Sequence, residues 1–135
     1  MSPLLDTSVV VRYLTRDPAH LASDAVRLID SGEDLLITDV AILEAIFALQ
    51  RLYDVPRNDI IEGLSRFIRK SNIQVFGIDK IFILQGLELC RPSNRTSFGD
   101  ALIWAAARSG SDSEVYTFDR RFPGQGITVL DPAAS

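Results

Sequence analysis

Four acidic residues stand out because of their surroundings. Asp6 and Asp119 each follow a short apolar run, Asp100 lies early in an alanine-rich helical segment, and Glu44 is the only charge in the apolar stretch 40–50. An ionised carboxylate buried on such a helix needs a partner or a metal, because burying it alone costs several kcal/mol. Carboxylate oxygens suit Mg²⁺ and Mn²⁺, which hold a phosphate and activate water for attack. The four residues are therefore candidate metal ligands.

Each of these acids also has a purely structural interpretation. Asp6 is suited to cap the N-terminus of a helix. Asp100 stands three residues after Ser97, the offset of a capping box, and Asp119 fits an ordinary surface turn. Glu44 suits an ion pair with an arginine, for which the sequence offers Arg12 and Arg51. Taken singly, the residues leave both interpretations open.

Hydroxyl and basic residues near the acids form a second group of candidates. Hydroxyls next to a carboxylate can orient a metal-bound water, although helix capping and strand propensity explain them equally well. The hydroxyl residues concerned are Thr7, Ser8 and Thr117. Arginines that flank the acids in sequence could grip an RNA backbone; these are Arg12, Arg16, Arg120 and Arg121.

Four other polar or aromatic residues are expected to serve the fold. Asp39 is expected to be the N-cap of its helix, and His20 is expected to be exposed. No second histidine accompanies His20, which argues against a zinc site. Cys90 and Trp104 are expected to pack in the interior.

The elements that must position the acids alternate between short apolar strands and amphipathic helices. No β-hairpin signal separates the first three strands, which predicts an α/β domain with a mainly parallel sheet. The predicted strands are 4–5, 35–37, 73–76, 115–118 and 127–130. Helices are predicted after residues 6–8, from 17–18 to the stop at Gly32, over 39–53, from Pro56, over 79–90 and over 98–108.

This organisation places the acids at one edge of the sheet. Parallel sheets bind ligands beyond the carboxyl ends of their strands. Asp6 and Asp119 end strands, and Asp100 begins a helix that follows a loop, so the three are expected at that edge. The sequence has no linker and no repeat, which predicts one domain over residues 1–135, with 129–135 as strand end and tail.

Composition limits the classes of partner. A net charge of −4 argues against binding nucleic acid through a generally basic surface. The objection is removed if the excess negative charge lies in a pocket that a divalent cation neutralises. A single cysteine and the lack of a signal peptide before Asp6 favour the cytoplasm, and no apolar run approaches the ~18 residues of a membrane helix.

Other chemistries lack their parts. The sequence has no glycine-rich phosphate loop with Lys and Ser/Thr, no GxGxxG after a strand, no CxxC and no GxSxG. A phosphate-accepting receiver domain would need an acidic pair after the first strand and a lysine late in the chain. Asp6 is followed by Thr7, and the only lysines are Lys70 and Lys80.

Four motifs in order resemble the PIN-domain nucleases, above all the VapC-type ribonuclease toxins of toxin–antitoxin pairs. They are Leu4-Leu5-Asp6-Thr7-Ser8-Val9, Leu43-Glu44-Ala45, Phe98-Gly99-Asp100-Ala101-Leu102-Ile103 and Thr117-Phe118-Asp119.

The resemblance covers essentially the whole chain. It implies a five-stranded parallel sheet between helices and an Mg²⁺ site, with Mn²⁺ as a substitute, made of Asp6, Glu44, Asp100 and Asp119. It also implies an endoribonuclease, a homodimer and an antitoxin that blocks the active site. A non-catalytic PIN-like module that binds RNA or protein remains the alternative.

Overall fold

The computed structural model describes residues 2–111 and 113–134. Its residues divide into two compact units, 1–76 and 77–135. Both units contain helices and parallel strands, as the sequence predicts for an α/β fold.

The first unit is built on β1 and β2, which pair in parallel with Leu35 opposite Ile73. Leu4 joins them through one isolated parallel bridge to Leu36. The elements are α1 (Thr7–Thr15), α2 (Ala19–Asp30), β1 (Leu35–Ile37), α3 (Asp39–Leu52), α4 (Arg57–Arg69) and β2 (Ile73–Val75). Helix α1 packs against α2 and α3.

Burial explains why these residues form these elements. The strands bury Leu35, Ile37, Ile73 and Val75, the alternate positions of each, while Gln74 is exposed. The apolar face that the sequence predicts for α4 is fully buried and consists of Ile60, Ile61, Leu64, Phe67 and Ile68. A core of this kind, dominated by branched aliphatic side chains, fixes the helices on the sheet.

The second unit is built on the packing of α5 against α6. Gly86 lies so close to α6 that a Cβ atom there would come within 2.9 Å of the Ala101 carbonyl oxygen. Trp104 Nε1 donates to the Gln125 carbonyl at 2.9 Å, which ties α6 to the turn before β4. The elements are α5 (Lys80–Leu89), α6 (Phe98–Ser109), β3 (Glu114–Tyr116), β4 (Thr128–Leu130) and the short 3-10 helix η1 (Pro132–Ala134).

The five-stranded sheet is not found among the described residues. Four of the predicted segments form two separate parallel pairs, β1–β2 and β3–β4, and the first is only a bridge. Leu5 N donates to Leu36 O at 2.7 Å, and Leu36 N donates to Pro3 O at 2.8 Å. On either side Pro3 has no N–H to donate, and Asp6 already caps α1. The first predicted strand, 4–5, is therefore limited to the short segment between Pro3 and Asp6.

One predicted cap is wrong, and the packing residues are confirmed. The N-cap of α3 is Thr38, whose Oγ1 accepts from Ala41 N at 3.1 Å, and Asp39 is in the first turn. Cys90 and Trp104 are buried, and His20 is exposed, as predicted. No helix in the described part of the chain has the length and apolar character that crossing a membrane requires.

Candidate active site

Asp6 lies at the end of the first strand segment and caps α1. Its Oδ2 accepts hydrogen bonds from Ser8 N at 3.1 Å and from Ser8 Oγ at 2.7 Å. The Ser8 hydroxyl, then the Ser8 and Thr7 backbone amides, lower the pKa of Asp6, against a small opposing effect of burial. Asp6 is exposed and therefore presents an ionised carboxylate to solvent at neutral pH.

The helix of Glu44 starts at the same edge of the sheet. The Leu4 segment runs parallel to β1, so both segments leave the sheet in the same direction. The first leads into α1 at Asp6, and β1 leads into α3 at Thr38. Glu44 lies in the second turn of α3, which packs against α1. Two of the four acids are therefore carried by neighbouring helices of one unit.

The expected burial of Glu44 is wrong. Val40, Glu44, Phe47 and Arg51 form one exposed stripe along α3. Glu44 makes no ion pair with Arg12 or Arg51 within the parts of the chain that the structure describes, and Arg51 instead lies 4.9 Å from the Phe47 ring centroid. The high proportion of apolar residues in α3 does not reveal that one face of the helix is exposed to solvent.

Asp100 lies in the first turn of α6 and is half-buried. Its backbone N–H donates to Ser97 Oγ at 3.0 Å, which confirms Ser97 as the cap. The return bond of a capping box, from Ser97 N to the Asp100 carboxylate, is not found among the described residues. Capping explains the position of Asp100 but leaves its carboxylate free for another role.

Asp119 follows β3 and is held in a turn. Its N–H donates to Thr117 Oγ1 at 2.9 Å, and its Oδ1 accepts from Arg121 N at 2.8 Å. Arg121 Nε lies 3.8 Å from the same oxygen. Asp119 and Thr117 line an open groove of about 340 Å³ at the carboxyl ends of β3 and β4.

Asp131 also lines that groove, and sequence reasoning missed it. It follows β4 as Asp119 follows β3, so the rule that selected Asp119 would have selected it too. Its Oδ1 accepts from Ala133 N at 2.8 Å, an ordinary turn interaction.

The four candidate RNA-binding arginines differ in the contacts that their side chains already make within the protein. Arg12 donates weakly to Ser8 O at 3.4 Å, and Arg16 lies over the Tyr13 ring at 4.8 Å. Arg121 interacts with Asp119, whereas Arg120 is exposed and makes no ion pair in the described ranges.

The acids are distributed two and two: Asp6 and Glu44 belong to residues 1–76, and Asp100 and Asp119 to residues 77–135. Across residues 2–111 and 113–134, no group of three His, Cys, Asp or Glu side chains is close enough to hold a metal ion. The donors themselves fit a hard divalent cation, since all are carboxylate oxygens and all four side chains are at least partly accessible.

A family profile described as PIN domain matches residues 4–125, a span that includes all four acids. The chain belongs to the PIN domain family. It is also similar to a VapC ribonuclease of Aquifex aeolicus (strain VF5), with 28% identity over 133 residues that cover 96% of each chain. The resemblance that the four motifs indicate is thus confirmed at the level of the family and of a VapC-type relative.

Proposed function

We propose that the chain is a metal-dependent endoribonuclease that acts as the toxin of a toxin–antitoxin pair. The observation that supports this most strongly is the similarity to a VapC ribonuclease along 96% of both chains, together with a family match that contains every candidate acid. In this proposal residues 1–135 act as one PIN-like domain, with 129–135 as its strand end and tail.

The proposed metal ligands and catalytic residues are Asp6, Glu44, Asp100 and Asp119, with Mg²⁺ as the cofactor and Mn²⁺ as a possible substitute. An ion bound by these oxygens would lower the pKa of its water and stabilise charge on the attacked phosphate.

Neighbouring hydroxyls would hold two of these carboxylates in place. Ser8 Oγ donates to Asp6 and limits its rotation, while its effect on the pKa keeps Asp6 ionised. Thr117 Oγ1 accepts from Asp119 N and fixes the turn after β3. Thr7, in the first turn of α1, supports the cap through its backbone amide.

RNA is the proposed substrate, and a basic contribution must come from the arginines, since the net charge of −4 excludes general attraction. Of Arg12, Arg16, Arg120 and Arg121, Arg120 is the most available for a phosphate contact, because its exposed side chain makes no hydrogen bond, ion pair or ring contact in the described ranges. Arg121 would have to exchange its contact with Asp119 for one with RNA.

The proposed biological setting is the cytoplasm, with a cognate antitoxin as protein partner and a homodimer as the assembly. These proposals rest on the VapC-type relative. Exposed apolar side chains such as Val40, Leu52, Tyr116 and Phe118 offer surface on which a protein partner could pack.

The decisive experiment is RNA cleavage by acidic variants with matched controls. Asp6→Asn is paired with Asp79→Asn, because Asp79 caps α5 with the same geometry and accepts from Ile81 N at 3.1 Å. Asp100→Asn is paired with Asp59→Asn, since Asp59 is the acidic residue in the first turn of α4. Glu44→Gln and Asp119→Asn complete the set.

With Mg²⁺ or Mn²⁺, wild type and both controls should cleave, and EDTA should stop them. Each of the four site variants should lose at least roughly 100-fold in rate, the order expected when one group that stabilises transition-state charge is removed. Cleavage at the wild-type rate by all four site variants would refute the assignment.

The alternative is a non-catalytic module that binds RNA or protein. This alternative predicts RNA binding without cleavage under any divalent cation, so the same assay separates the two functions.

A further inference from the structure

Positive charge is concentrated in one concave patch of residues 1–76, although the chain is acidic overall. The patch is an open groove of about 460 Å³, which we call the basic pocket. Its lining contains three cations and no carboxylate. The lining residues used below are Tyr13, Arg16, Gly63, Arg66, Phe67 and Lys70.

One of the three cations is neutralised by a neighbour. Lys70 Nζ lies 3.0 Å from Asp30 Oδ1, and the Tyr13 hydroxyl donates to the same oxygen at 3.3 Å. Arg16 lies over the Tyr13 ring, and Arg66 makes no ion pair within the described residues. The pKa of Asp30 is lowered mainly by its hydrogen bond to Lys70 and, to a smaller extent, by the charge of Arg16, so these two cations share one carboxylate and the pocket keeps an excess of positive charge.

A simpler role for these cations is to stabilise helix ends. Arg66 is in the last turn of α4, and Arg16 is the C-cap of α1, where positive charge interacts favourably with the helix dipole. This role would apply equally to Arg69, which shares the last turn of α4 but does not line the pocket. Arg69 therefore separates the two explanations.

We propose that the basic pocket binds a backbone phosphate of the RNA substrate, away from the bond that is cut. Two guanidinium groups on one concave surface suit a phosphate, because each can donate two parallel hydrogen bonds to its oxygens. Helix α1 joins the pocket to the candidate active site, since Asp6 caps its first turn and Arg16 its last. At 1.5 Å per residue, the two ends of α1 are roughly 15 Å apart. An RNA strand that reaches the pocket must therefore extend several nucleotides beyond the bond that is cleaved.

This proposal rests on the proposed function for the identity of its ligand, but its test does not depend on cleavage. Binding is measured in EDTA, so that the RNA stays intact. The ligand is single-stranded RNA of about 20 nucleotides, longer than the ~4–16 nucleotides that one OB-fold domain covers. Arg16→Gln, Arg66→Gln and their combination are compared with Arg69→Gln. Thermal melts verify that each variant is folded.

The double variant should bind about tenfold more weakly than wild type at low salt. The slope of log affinity against log salt should fall by roughly 0.7 for each phosphate that the variant no longer neutralises, and Arg69→Gln should leave affinity and slope unchanged. Inorganic phosphate and an acidic peptide of matched charge serve as competing anions. RNA should bind more tightly than either. Weak competition by inorganic phosphate should depend on Arg16 and Arg66 as RNA binding does, whereas binding of the acidic peptide should not.

Several results would contradict the proposal that the basic pocket binds RNA. Equal reductions in affinity in Arg69→Gln and Arg66→Gln would indicate a helix-end effect, and unchanged binding in the double variant would remove the site. Tighter, Arg66-dependent binding of the acidic peptide would assign the pocket to a protein partner instead of RNA. If the pocket variants weaken RNA binding but wild type never cleaves RNA with Mg²⁺ or Mn²⁺, the pocket stands and the proposed nuclease function fails.

Discussion

The two strand pairs have the same parallel pairing and the same length but opposite environments. In β1–β2, Ile37 and Ile73 are fully buried, whereas in β3–β4 Tyr116 is 60% exposed and Val129 is 42% exposed. The first pair is thus part of an apolar core, and the second has large side chains in water. Residues 1–76 have a core that the buried strand residues share with the helices around them, whereas residues 77–135 rely mainly on the packing of α5 on α6.

This difference extends to the candidate acids. Asp6 directly follows Leu5, a buried residue whose N–H donates to the carbonyl of Leu36 in β1. Asp119 follows an exposed strand and is fixed by local bonds, from its own N–H to Thr117 and from Arg121 to its carboxylate. We infer that the position of Asp6 depends on the core, whereas that of Asp119 depends on its turn.

The largest expected effect is a contrast between two truncations of strand residues. Ile37→Ala in β1 should lower the free energy of unfolding by about 2–5 kcal/mol, because it removes buried carbons and leaves a cavity. Val129→Ala in β4 should cost less than about 1 kcal/mol, since its side chain is already partly in water. Urea unfolding followed by circular dichroism measures both; equal destabilisation would contradict the contrast in burial.

A second contrast uses one substitution in two helices. Gly86→Ala should destabilise by about 1–3 kcal/mol, because the new methyl would lie 2.9 Å from the Ala101 carbonyl oxygen and force α5 away from α6. Gly63→Ala in α4 meets only Leu14 Cδ2, at 3.8 Å, and should stabilise by about 0.5–1 kcal/mol through helix propensity. Melting temperatures should move in opposite directions. A rise in both would show that α5 and α6 can separate without any cost in stability.

Local signals in the sequence predicted the helices well, because caps and apolar periodicity are properties of neighbouring residues. Asp6 and Ser97 cap the helices that the sequence assigns to them. Strand pairing joins residues far apart in the chain, so the sequence could place short apolar segments but could not predict how many would pair. The five-stranded sheet was a consequence of the resemblance, and pairing in the described residues is more limited.

The site was only partly predictable for the same reason. The four acids could be selected from local information, because Asp6, Asp100 and Asp119 follow a strand or lie early in a helix and Glu44 is the only charge in an apolar stretch. The exposure of Glu44 could not be predicted, because the sequence of a mostly apolar helix does not show which of its faces packs against another helix or a strand. The basic pocket was not predictable from the sequence either, because only the fold brings Arg66 and Lys70 to one concave surface with Arg16.

The smallest expected effect compares a long-range ion pair in residues 1–76 with a local one in 77–135. Asp30 pairs with Lys70 across 40 residues of sequence, whereas Arg91 and Glu88 are three residues apart on one turn, at 2.8 Å. The hydrogen bond to Lys70 lowers the pKa of Asp30, and the same bond raises the pKa of Lys70. The pair therefore stabilises the fold above the ordinary pKa of Asp30, 3.8, and below that of Lys70, 10.5.

Asp30→Asn should accordingly destabilise by only about 0.2–1 kcal/mol at pH 7, because both side chains are partly exposed and solvent screens them. The destabilisation should disappear as the pH falls through the lowered pKa of Asp30, where wild type is protonated as well. Glu88→Gln, as the local control, should cost no more than about 0.5 kcal/mol at pH 7. Chemical unfolding at pH 7 and at a series of lower pH values, followed until the difference stops changing, measures the effect. If Asp30→Asn still destabilises to the same extent at the lower pH values, the effect comes from the hydrogen bonds that Tyr13 and Lys70 donate to Asp30 and not from its charge. The long-range pair would then contribute no more than a neutral contact does.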